Sequence, residues 1–449
     1  MAWEQKLIRT VRVRNSQTRG TLAQLLTSIS QAGGNVGGIE MLTETSQHVV
    51  RDITIYAEDE AHVERIVEAM RANPGTKILQ VRDEVLELHQ KGKIAIRSRY
   101  PIDSMTTLRR VYTPGVADVC RKIAADPSLA WTYTSISHMV AIVTDGTAVL
   151  GLGDIGPLAG MPVMEGKAML METLVGLSGV PILLNTKDPE EIIAAVKAIS
   201  PTFAAIQLED ISAPRCFEIE ERLQAMLDIP VMHDDQHGTA VVSTAALLVA
   251  ARETGRELSK AVIGQIGLGA AGNAIGKMLM RLTGNPVYGA DLSQEALDRF
   301  ERDGGRKSNL KEIMAQCDIV IATTGAAGLI KPEMVRAGQI ILALSNPNAE
   351  IDPDLAMERG AVFAADGKSV NNVLGFPGIF RGVVDSHSPR ITHEMLVAAA
   401  ETIASMTPPG ELVPSPLDKK VHHAVARAVA ETAIKQGIAR AEYVPYVEE

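Results

Sequence analysis

The sequence predicts an α/β protein: a large α/β domain with a mostly parallel sheet and a doubly wound domain of the Rossmann type, preceded by a small ferredoxin-like domain. Three observations support this fold class. Segments with the periods of strands and helices alternate between residues 86 and 400, which indicates parallel sheets. A Gly-x-Gly-x-x-Gly motif at 267–272 lies between a strand and a helix. The first 85 residues have a strand and helix order of their own.

That first segment has the order βαββαβ, which predicts the ferredoxin-like fold. Its predicted strands cover 7–13, 36–42, 49–56 and 77–81, and its helices cover 22–29 and 61–72. The order, the stretch 15–22 before the first helix and the Gly-Gly-Asn-Val sequence at 33–36 after it resemble the ACT domain, a module that senses small molecules and dimerises. The resemblance implies a small-molecule effector here, and a structural add-on is the alternative.

Composition indicates a soluble, cytoplasmic protein that acts on a small molecule. The net charge of −10 is spread without a basic block, which argues against a nucleic acid partner. The longest apolar run, 239–251, is shorter than the roughly 20 residues that cross a bilayer, so no membrane partner is expected. The N-terminus lacks the apolar core of a signal peptide, and the three cysteines show no Cys-x-x-Cys spacing.

A chain of 449 residues is too long for one hydrophobic core and should form several domains. We predict four parts: the small domain at 1–85, a substrate and metal domain at 86–256, the Rossmann domain at 257–400, and a C-terminal segment at 401–449 whose helix 421–436 packs on the second part. The predicted strands of the second part cover 139–145, 148–152, 180–184, 203–208 and 229–233. The Asp145-Gly146 pair predicts a hairpin turn between the first two.

The Gly-x-Gly-x-x-Gly pattern occurs twice, and its surroundings differ. Gly267, Gly269 and Gly272 follow the predicted strand 261–266 and open the predicted helix 273–282, the arrangement that binds the pyrophosphate of a dinucleotide. About 20 residues further on, Asp291 ends the strand 286–290, where a carboxylate binds a ribose 2′-hydroxyl and repels a 2′-phosphate. The motif therefore predicts NAD rather than NADP. The other copy, 151–156, is followed by prolines, so we expect a substrate-site loop there and no helix N-terminus.

Two acid pairs end predicted strands of the second part. Glu209-Asp210 follows 203–208, and Asp234-Asp235 follows 229–233. Ligands of open α/β sheets bind beyond the carboxyl ends of the strands. Neighbouring side chains on an extended chain point in opposite directions, so one acid of each pair should face the crevice unless the backbone bends. Converging carboxylates favour a hard cation, Mg²⁺ or Mn²⁺. His233 and His237 are expected to be structural or to lie behind the ligands.

The order of several further motifs makes the chain resemble a malic enzyme of the small bacterial type over residues 90–440. These motifs are Val-Tyr-Thr-Pro-Gly-Val at 111–116, Thr-Asp-Gly at 144–146 with the loop 151–156, Pro-Val-Met-Glu-Gly-Lys at 162–167, Gln-Leu-Glu-Asp at 207–210, His-Asp-Asp-Gln-His-Gly-Thr-Ala at 233–240, Ser-Asn-Pro at 345–347 and Asn-Asn-Val-Leu-Gly-Phe-Pro-Gly at 371–378.

The resemblance implies an NAD-dependent oxidation and decarboxylation of L-malate to pyruvate and CO₂, with oxaloacetate decarboxylation as a further activity. It implies Lys167 as the base and Tyr112 as the general acid. The implied metal ligands are Glu209, Asp210 and Asp235, and the implied amides near nicotinamide and substrate are Asn346 and Asn372. Gly166 and Lys167 stand at the start of a predicted helix whose following residues, 168–177, are apolar. The pKa of Lys167 should be lowered by burial or by the nearby cation.

Two points stay open at the level of sequence. Larger malic enzymes have an arginine for a malate carboxylate where Thr147 and Ala148 stand here, so the group that binds the distal carboxylate is undefined. The reaction could also end differently, as a malolactic conversion or an oxaloacetate decarboxylation without net NADH. A non-enzymatic NAD or metabolite sensor is the remote alternative.

The family resemblance also implies a homo-oligomer, a dimer or larger.

Overall fold

The computed structural model describes residues 7–368 and 370–446. The chain divides into two compact units, with the boundary between Ala95 and Ile96. The described elements of the first unit are, in order, β1 (Leu7–Ser16), α1 (Thr21–Gln31), β2 (Asn35–Glu44), β3 (His48–Ala57), α2 (Glu60–Arg71), β4 (Thr76–Arg82) and α3 (Glu84–His89).

The first unit has the predicted βαββαβ order, and its strands form an antiparallel sheet in the order β2-β3-β1-β4. Val11 and Val13 of β1 are buried together with Leu25 and Ile29 of α1, because alternate strand residues and one face of each helix turn toward the same core. α2 begins at the Asp59 cap, whose side chain accepts a hydrogen bond from the backbone N–H of His62.

The second unit begins with short helices and continues with a first parallel sheet. Its described elements up to residue 254 are α4 (Met105–Val111), α5 (Val116–Ala125), α6 (Ala130–Tyr133), β5 (Met139–Thr144), α7 (Pro157–Val175), β6 (Ser178–Leu183), α8 (Pro189–Ile199), β7 (Ala205–Leu208), α9 (Arg215–Met226), β8 (Val231–His233) and α10 (Asp234–Thr254).

The strands of this sheet are parallel and follow the order β6-β5-β7-β8. Every residue of β7 is buried, as expected for a parallel strand that is covered on both faces. The predicted hairpin after Asp145-Gly146 is wrong. Residues 148–152 form no strand, and a single bridge joins Val149 to Gly153, because the segment belongs to a glycine-rich loop.

A second parallel sheet follows, and it has the doubly wound order that the glycine motif predicts. Its strands and helices are β9 (Ile263–Ile266), α11 (Ala270–Thr283), β10 (Tyr288–Ala290), α12 (Gln294–Arg302), β11 (Arg306–Lys307), α13 (Leu310–Gln316), β12 (Ile319–Ala322), β13 (Ile340–Ala343), α14 (Pro353–Glu358) and β14 (Phe363–Asp366). The strand order is β11-β10-β9-β12-β13-β14, so the chain reverses direction across the sheet between β9 and β12. Such a switch point creates the crevice in which a dinucleotide binds.

Three helices complete the second unit: α15 (Phe376–Asp385), α16 (His393–Ser405) and α17 (Lys419–Lys435). α17 packs on α15, α16 and α7. The four-part domain division proposed from the sequence is finer than the two compact units, and it stays a prediction. Among the helices of residues 7–368 and 370–446, none is long and apolar enough to cross a membrane.

Candidate active site

The first parallel sheet delivers acidic residues at the carboxyl ends of three strands. Asp145 follows β5, Glu209 follows β7 and Asp234 follows β8. All three are buried, with at most 2% of their surface exposed. Because the strands are parallel, these ends share one edge of the sheet, the edge at which α/β proteins bind ligands.

Glu209, Asp210 and Asp235 meet at this edge. Each offers a carboxylate oxygen, and these oxygens all lie within 4.8 Å of one another. Consecutive side chains of an extended strand would diverge, but Asp210 has a φ of +53°, so the chain turns sharply after Glu209. The Asp210 N–H donates to Oδ2 of Asp235 over 2.9 Å, which joins the loop after β7 to the start of α10. The bend therefore lets both acids of the first pair serve one site.

The electrostatics of this cluster suit a divalent cation. Burial, together with the charges of Asp235 and Glu209, raises the pKa of Asp210 to about 8. Burial also raises the pKa of Asp235 to about 6 and raises the pKa of Glu209. Oδ2 of Asp210 is buried without a hydrogen-bond partner in the described chain. Carboxylates that repel one another, with one buried oxygen that has no hydrogen-bond donor among the described residues, fit Mg²⁺ or Mn²⁺, whose preferred ligands are such oxygens.

Lys167 lies beside the cluster and is 8% exposed. Its Nζ is 2.5 Å from Oδ2 of Asp234, 3.0 Å from Oε1 of Glu209 and 4.6 Å from the centre of the Phe376 ring. Burial lowers the pKa of Lys167, but the charges of Asp234 and Glu209 outweigh it, so the pKa is raised. From the sequence, burial or the nearby cation is expected to lower this pKa; burial does lower it, but the carboxylates, which that expectation leaves out, outweigh burial. A divalent cation bound to Glu209, Asp210 and Asp235 would reduce the effect of Glu209 and Asp235 on Lys167.

The helix that carries Lys167 differs from the prediction. α7 runs over Pro157–Val175, so Lys167 lies in its middle and not at its start. The helix begins directly after Gly156, so the expectation that no helix N-terminus follows the first glycine motif was also wrong. Pro157 is the first helical residue, where a proline needs no N–H partner and already has a helical φ.

The second glycine motif has the geometry of a dinucleotide loop. Gly267 has a φ of +87°, and a Cβ there would lie 2.6 Å from the carbonyl oxygen of Thr323. A Cβ on Gly272 would lie 1.9 Å from the carbonyl oxygen of Gly267, and Gly269 caps α11. Asp291 follows β10, and its Oδ2 accepts a hydrogen bond of 2.6 Å from the Leu268 N–H. The carboxylate thus lies against the loop, at the position predicted for ribose recognition.

The two predicted amides lie on segments that follow the sheets. Asn346 comes after β13, and its Nδ2 donates to the Gly367 carbonyl over 3.1 Å. Asn372 begins a 3₁₀ turn before α15. A Cβ added to Gly238 would lie 3.4 Å from the Cβ of Asn372. Asn372 is therefore close to the first turns of α10, the helix that begins with Asp234.

Tyr112, the predicted general acid, is not joined to the Lys167 cluster. It ends α4, its surface is 67% exposed, and its phenol makes no hydrogen bond with the described part of the chain. The neighbouring helix α5 has polar and apolar faces, yet it contains no buried residue. Tyr112 therefore lies on an open surface of the single chain.

Sequence reasoning missed two contributions to the site. The sequence indicates Asp234 only as part of an acid pair, whereas the structure makes it the ion-pair partner of Lys167. Glu220, on α9, accepts hydrogen bonds from the N–H of His233 over 2.8 Å and from Gln236 Nε2 over 2.9 Å, and its carboxylate is 3.0 Å from His237 Nε2. Glu220 thereby holds the chain on both sides of the second acid pair. A lone glutamate in an amphipathic helix carries no signal of this role.

Comparisons with known proteins show which family the chain is similar to. Residues 91–224 match the family model described as malic enzyme, N-terminal domain, and residues 293–438 match malic enzyme, NAD binding domain. NAD-dependent malic enzyme 1 of Bacillus subtilis is 56% identical over 430 residues, which is 95% of this chain and 98% of the relative. The bifunctional malic/malolactic enzyme of the same organism is 42% identical and covers 81% of this chain and 95% of its own. The crystal structure of malic enzyme from Pyrococcus horikoshii has a TM-score of 0.76 at 40% identity, over 80% of this chain and 92% of that one.

Proposed function

The chain belongs to the malic enzyme family, and we propose how its own residues carry out the reaction. The enzyme oxidises and decarboxylates L-malate to pyruvate and CO₂ and reduces NAD, with a divalent metal as cofactor. The observation that supports our assignment of roles is the convergence of Lys167 with Glu209, Asp210 and Asp235 at one edge of the parallel sheet.

In our proposal, Glu209, Asp210 and Asp235 hold Mg²⁺ or Mn²⁺. A cation there would polarise the C2 hydroxyl of malate and the C2 carbonyl that replaces it. The loop Gly267–Gly272 and Asp291 would hold NAD, which would supply the hydride acceptor for C2. Asn346 and Asn372 contribute amides near the nicotinamide and the substrate.

Lys167 takes the proton of the C2 hydroxyl as hydride leaves C2. The bond between C3 and C4 then breaks and releases CO₂. Tyr112 gives a proton to C3 to form pyruvate, which requires that it be brought to the site from the exposed position that it has in the single chain. Lys167 can act as a base only when the charges of its two carboxylate neighbours, Asp234 and Glu209, are offset, and Glu209 is also one of the proposed metal ligands. Metal binding and base function are therefore coupled at this site.

A direct assay tests this proposal. Purified protein with Mn²⁺, malate and NAD should form NADH and pyruvate in equal amounts, and a chelator should abolish both. Asp235→Asn and Asp210→Asn should lower Mn²⁺ affinity, because each removes a charged oxygen ligand. If these variants bind Mn²⁺ as the unaltered enzyme does, the three acids are not the metal site.

A second outcome of the reaction is tested in the same assay, because one relative is a bifunctional malic/malolactic enzyme. Lactate formed from malate without net NADH would favour the malolactic conversion. Oxaloacetate consumed without NADH would indicate the separate decarboxylase activity. Pyruvate and NADH in equal amounts, without lactate, would support oxidative decarboxylation as the main activity.

We also propose that the enzyme is a homo-oligomer in which a second copy covers the open surface around Tyr112. Large apolar side chains are exposed on α4, which Tyr112 follows, and on the residues just before α4, among them Tyr100, Ile102, Met105 and Val111. Tyr112 lies on this surface away from hydrogen-bond partners, which a covering copy would change. Ile102→Glu with Met105→Glu should yield a smaller species in light scattering, whereas Leu417→Glu, at another exposed position, should not. An unchanged mass for the double variant would contradict this interface.

For the first unit we propose the binding of a small-molecule effector, prompted by its ferredoxin-like sheet and the resemblance in its sequence. Cytoplasmic location likewise stays a proposal. Amino acids and small carboxylates should be tested for an effect on the malate concentration at half-maximal rate. If none shifts it, the first unit has a structural role.

A further inference from the structure

The Thr147 hydroxyl is the centre of a hydrogen-bond network behind the metal ligands. It donates to Oδ1 of Asp145 over 2.6 Å. It accepts from the Ser212 N–H over 3.0 Å and from Arg215 Nη2 over 2.9 Å. One hydroxyl therefore joins the loop after β5 to the loop after β7 and to the start of α9.

The guanidinium group of Arg215 also contacts the loops after β5 and β7, and in addition the segment after β6. Nη1 is 3.0 Å from Oδ2 of Asp145 and donates to the Lys187 carbonyl over 2.5 Å. Nη2 donates to Ser212 Oγ over 3.0 Å as well as to Thr147. The Asp145 side chain is fully buried, so without Arg215 its charge would have no cationic partner in this network. Both terminal nitrogens of Arg215 thus contact protein atoms, so the guanidinium group has a structural role in this network.

The network ends at the backbone of Asp210. The Asp210 carbonyl accepts hydrogen bonds from the N–H groups of Thr147 and Ala148, over 3.1 and 2.9 Å. Asp210 is the residue with a φ of +53°, an uncommon conformation for a residue other than glycine. Its carbonyl is thus fixed from one side by the loop that Asp145, Thr147 and Arg215 order.

We propose that Arg215 and Thr147 are positioning residues for the metal site: they hold the bend at Asp210 that turns Glu209 and Asp210 toward the same cation. The inference rests on the proposed metal site. This role accounts for the hydrogen bond between Arg215, at the start of α9, and Thr147, after β5, which are 68 positions apart in the sequence. It also gives the Thr147 position a function other than binding a malate carboxylate.

The test compares Mn²⁺ binding by calorimetry in matched variants. Thr147→Val keeps the shape and removes the hydroxyl, and Thr147→Ser keeps the hydroxyl. Arg215→Lys keeps the charge but cannot reach all four acceptors. Groups that orient metal ligands typically contribute about 10- to 100-fold to affinity. We therefore expect Thr147→Val and Arg215→Lys to weaken Mn²⁺ binding about 10- to 100-fold, and Thr147→Ser to stay within about twofold of the unaltered enzyme.

Two controls separate positioning from general damage. NAD affinity should be unchanged in every variant, and Arg222→Lys should alter neither affinity, because Arg222 pairs with Glu190 and Glu218 at the surface. Mn²⁺ affinities of Thr147→Val and Arg215→Lys within twofold of the unaltered enzyme would overturn the inference. So would a parallel loss of NAD and Mn²⁺ binding. If the unaltered enzyme binds no Mn²⁺ while it binds NAD, the proposed metal site itself fails.

Discussion

The ammonium nitrogen of Lys167 lies 2.5 Å from Oδ2 of Asp234, and both side chains are buried. Lys167 is in the middle of α7, whereas Asp234 is the first residue of α10. The ion pair therefore holds these two helices in a fixed relation and keeps the Lys167 nitrogen 3.0 Å from Glu209. Asp234 is thus the link between the proposed base and the second acid pair.

Lys167→Ala should lose most of its turnover while the protein still binds NAD. A positioned acid or base typically contributes about 100- to 10,000-fold to the rate, and we expect a loss in this range for NADH formation from malate. Lys260→Ala, which removes an exposed lysine paired with Glu257, should change the rate by less than about twofold. Turnover that survives in Lys167→Ala would remove Lys167 from the mechanism.

Gly238→Ala should disturb the site through Asp234. A Cβ on Gly238 would lie 1.9 Å from Oδ1 of Asp234, so the carboxylate must move and its contact with Lys167 must change. Such overpacking typically costs about 1–3 kcal/mol, which should lower both the urea midpoint and the rate of NADH formation.

Gly160→Ala is the matched control, because Gly160 is also a helical glycine and its Cβ would lie 3.9 Å from Cγ2 of Val149, an ordinary van der Waals distance. Without a clash, alanine in a helix is favoured over glycine by about 0.5–1 kcal/mol. We expect this variant to be at least as stable as the unaltered enzyme. Equal stability and rate for both alanine variants would contradict the role of Gly238.

The sequence predicts the strands and the NAD loop well because their signals are local. The four strands of the first unit, for example, lie within three residues of their expected bounds. The bend at Asp210 carries no such signal, since aspartate is uncommon at positive φ and the groups that hold its carbonyl come from the loop after β5. The ion pair of Lys167 is equally hidden, because its partner is 67 positions away.

The errors around Gly146–Val175 have one physical cause. Glycine and proline usually break regular structure, and on that basis the sequence predicts a hairpin at 148–152 and a helix that begins after Gly166. Proline at the first position of a helix is compatible with it, and α7 starts at Pro157. The Cβ that Gly146 lacks would lie 2.3 Å from the Gly156 carbonyl, so the loop folds back on itself there and cannot extend as a strand.

His393 should make stability depend on pH. Burial, followed by the charges of Arg281 and His237, lowers its pKa from 6.5 to about 4. As the pH falls through this window, the unfolded chain binds a proton that the folded chain does not, so this residue makes folding less favourable. His393→Gln lacks this effect.

As the pH falls from about 8 to about 5, the urea midpoint of His393→Gln should therefore rise relative to that of the unaltered enzyme. At the higher pH the histidine is neutral in both states, and the difference between the two proteins reflects packing alone. A difference that stays constant across this range would show that His393 titrates alike in the folded and unfolded chain.

Asp291 should set the preference for NAD over NADP. Its Oδ2 accepts from the Leu268 N–H and its Oδ1 accepts from the Ser293 N–H over 2.8 Å, so the charge is fixed beside the glycine loop. A 2′-phosphate would meet this negative charge. Asp291→Ser should raise the ratio of kcat/KM for NADP to that for NAD at least about tenfold, which corresponds to roughly 1.4 kcal/mol.

Asp291→Asn separates charge from loop geometry, because it removes the charge and keeps one acceptor oxygen of similar reach. If repulsion of the 2′-phosphate is the cause, both variants raise the ratio. If the hydrogen bonds that order the loop are the cause, Asp291→Asn changes it little and Asp291→Ser weakens both cofactors. Asp298→Asn, at an exposed position paired with Lys307, should leave the ratio as it is. An unchanged ratio in both Asp291 variants would assign cofactor choice to another residue.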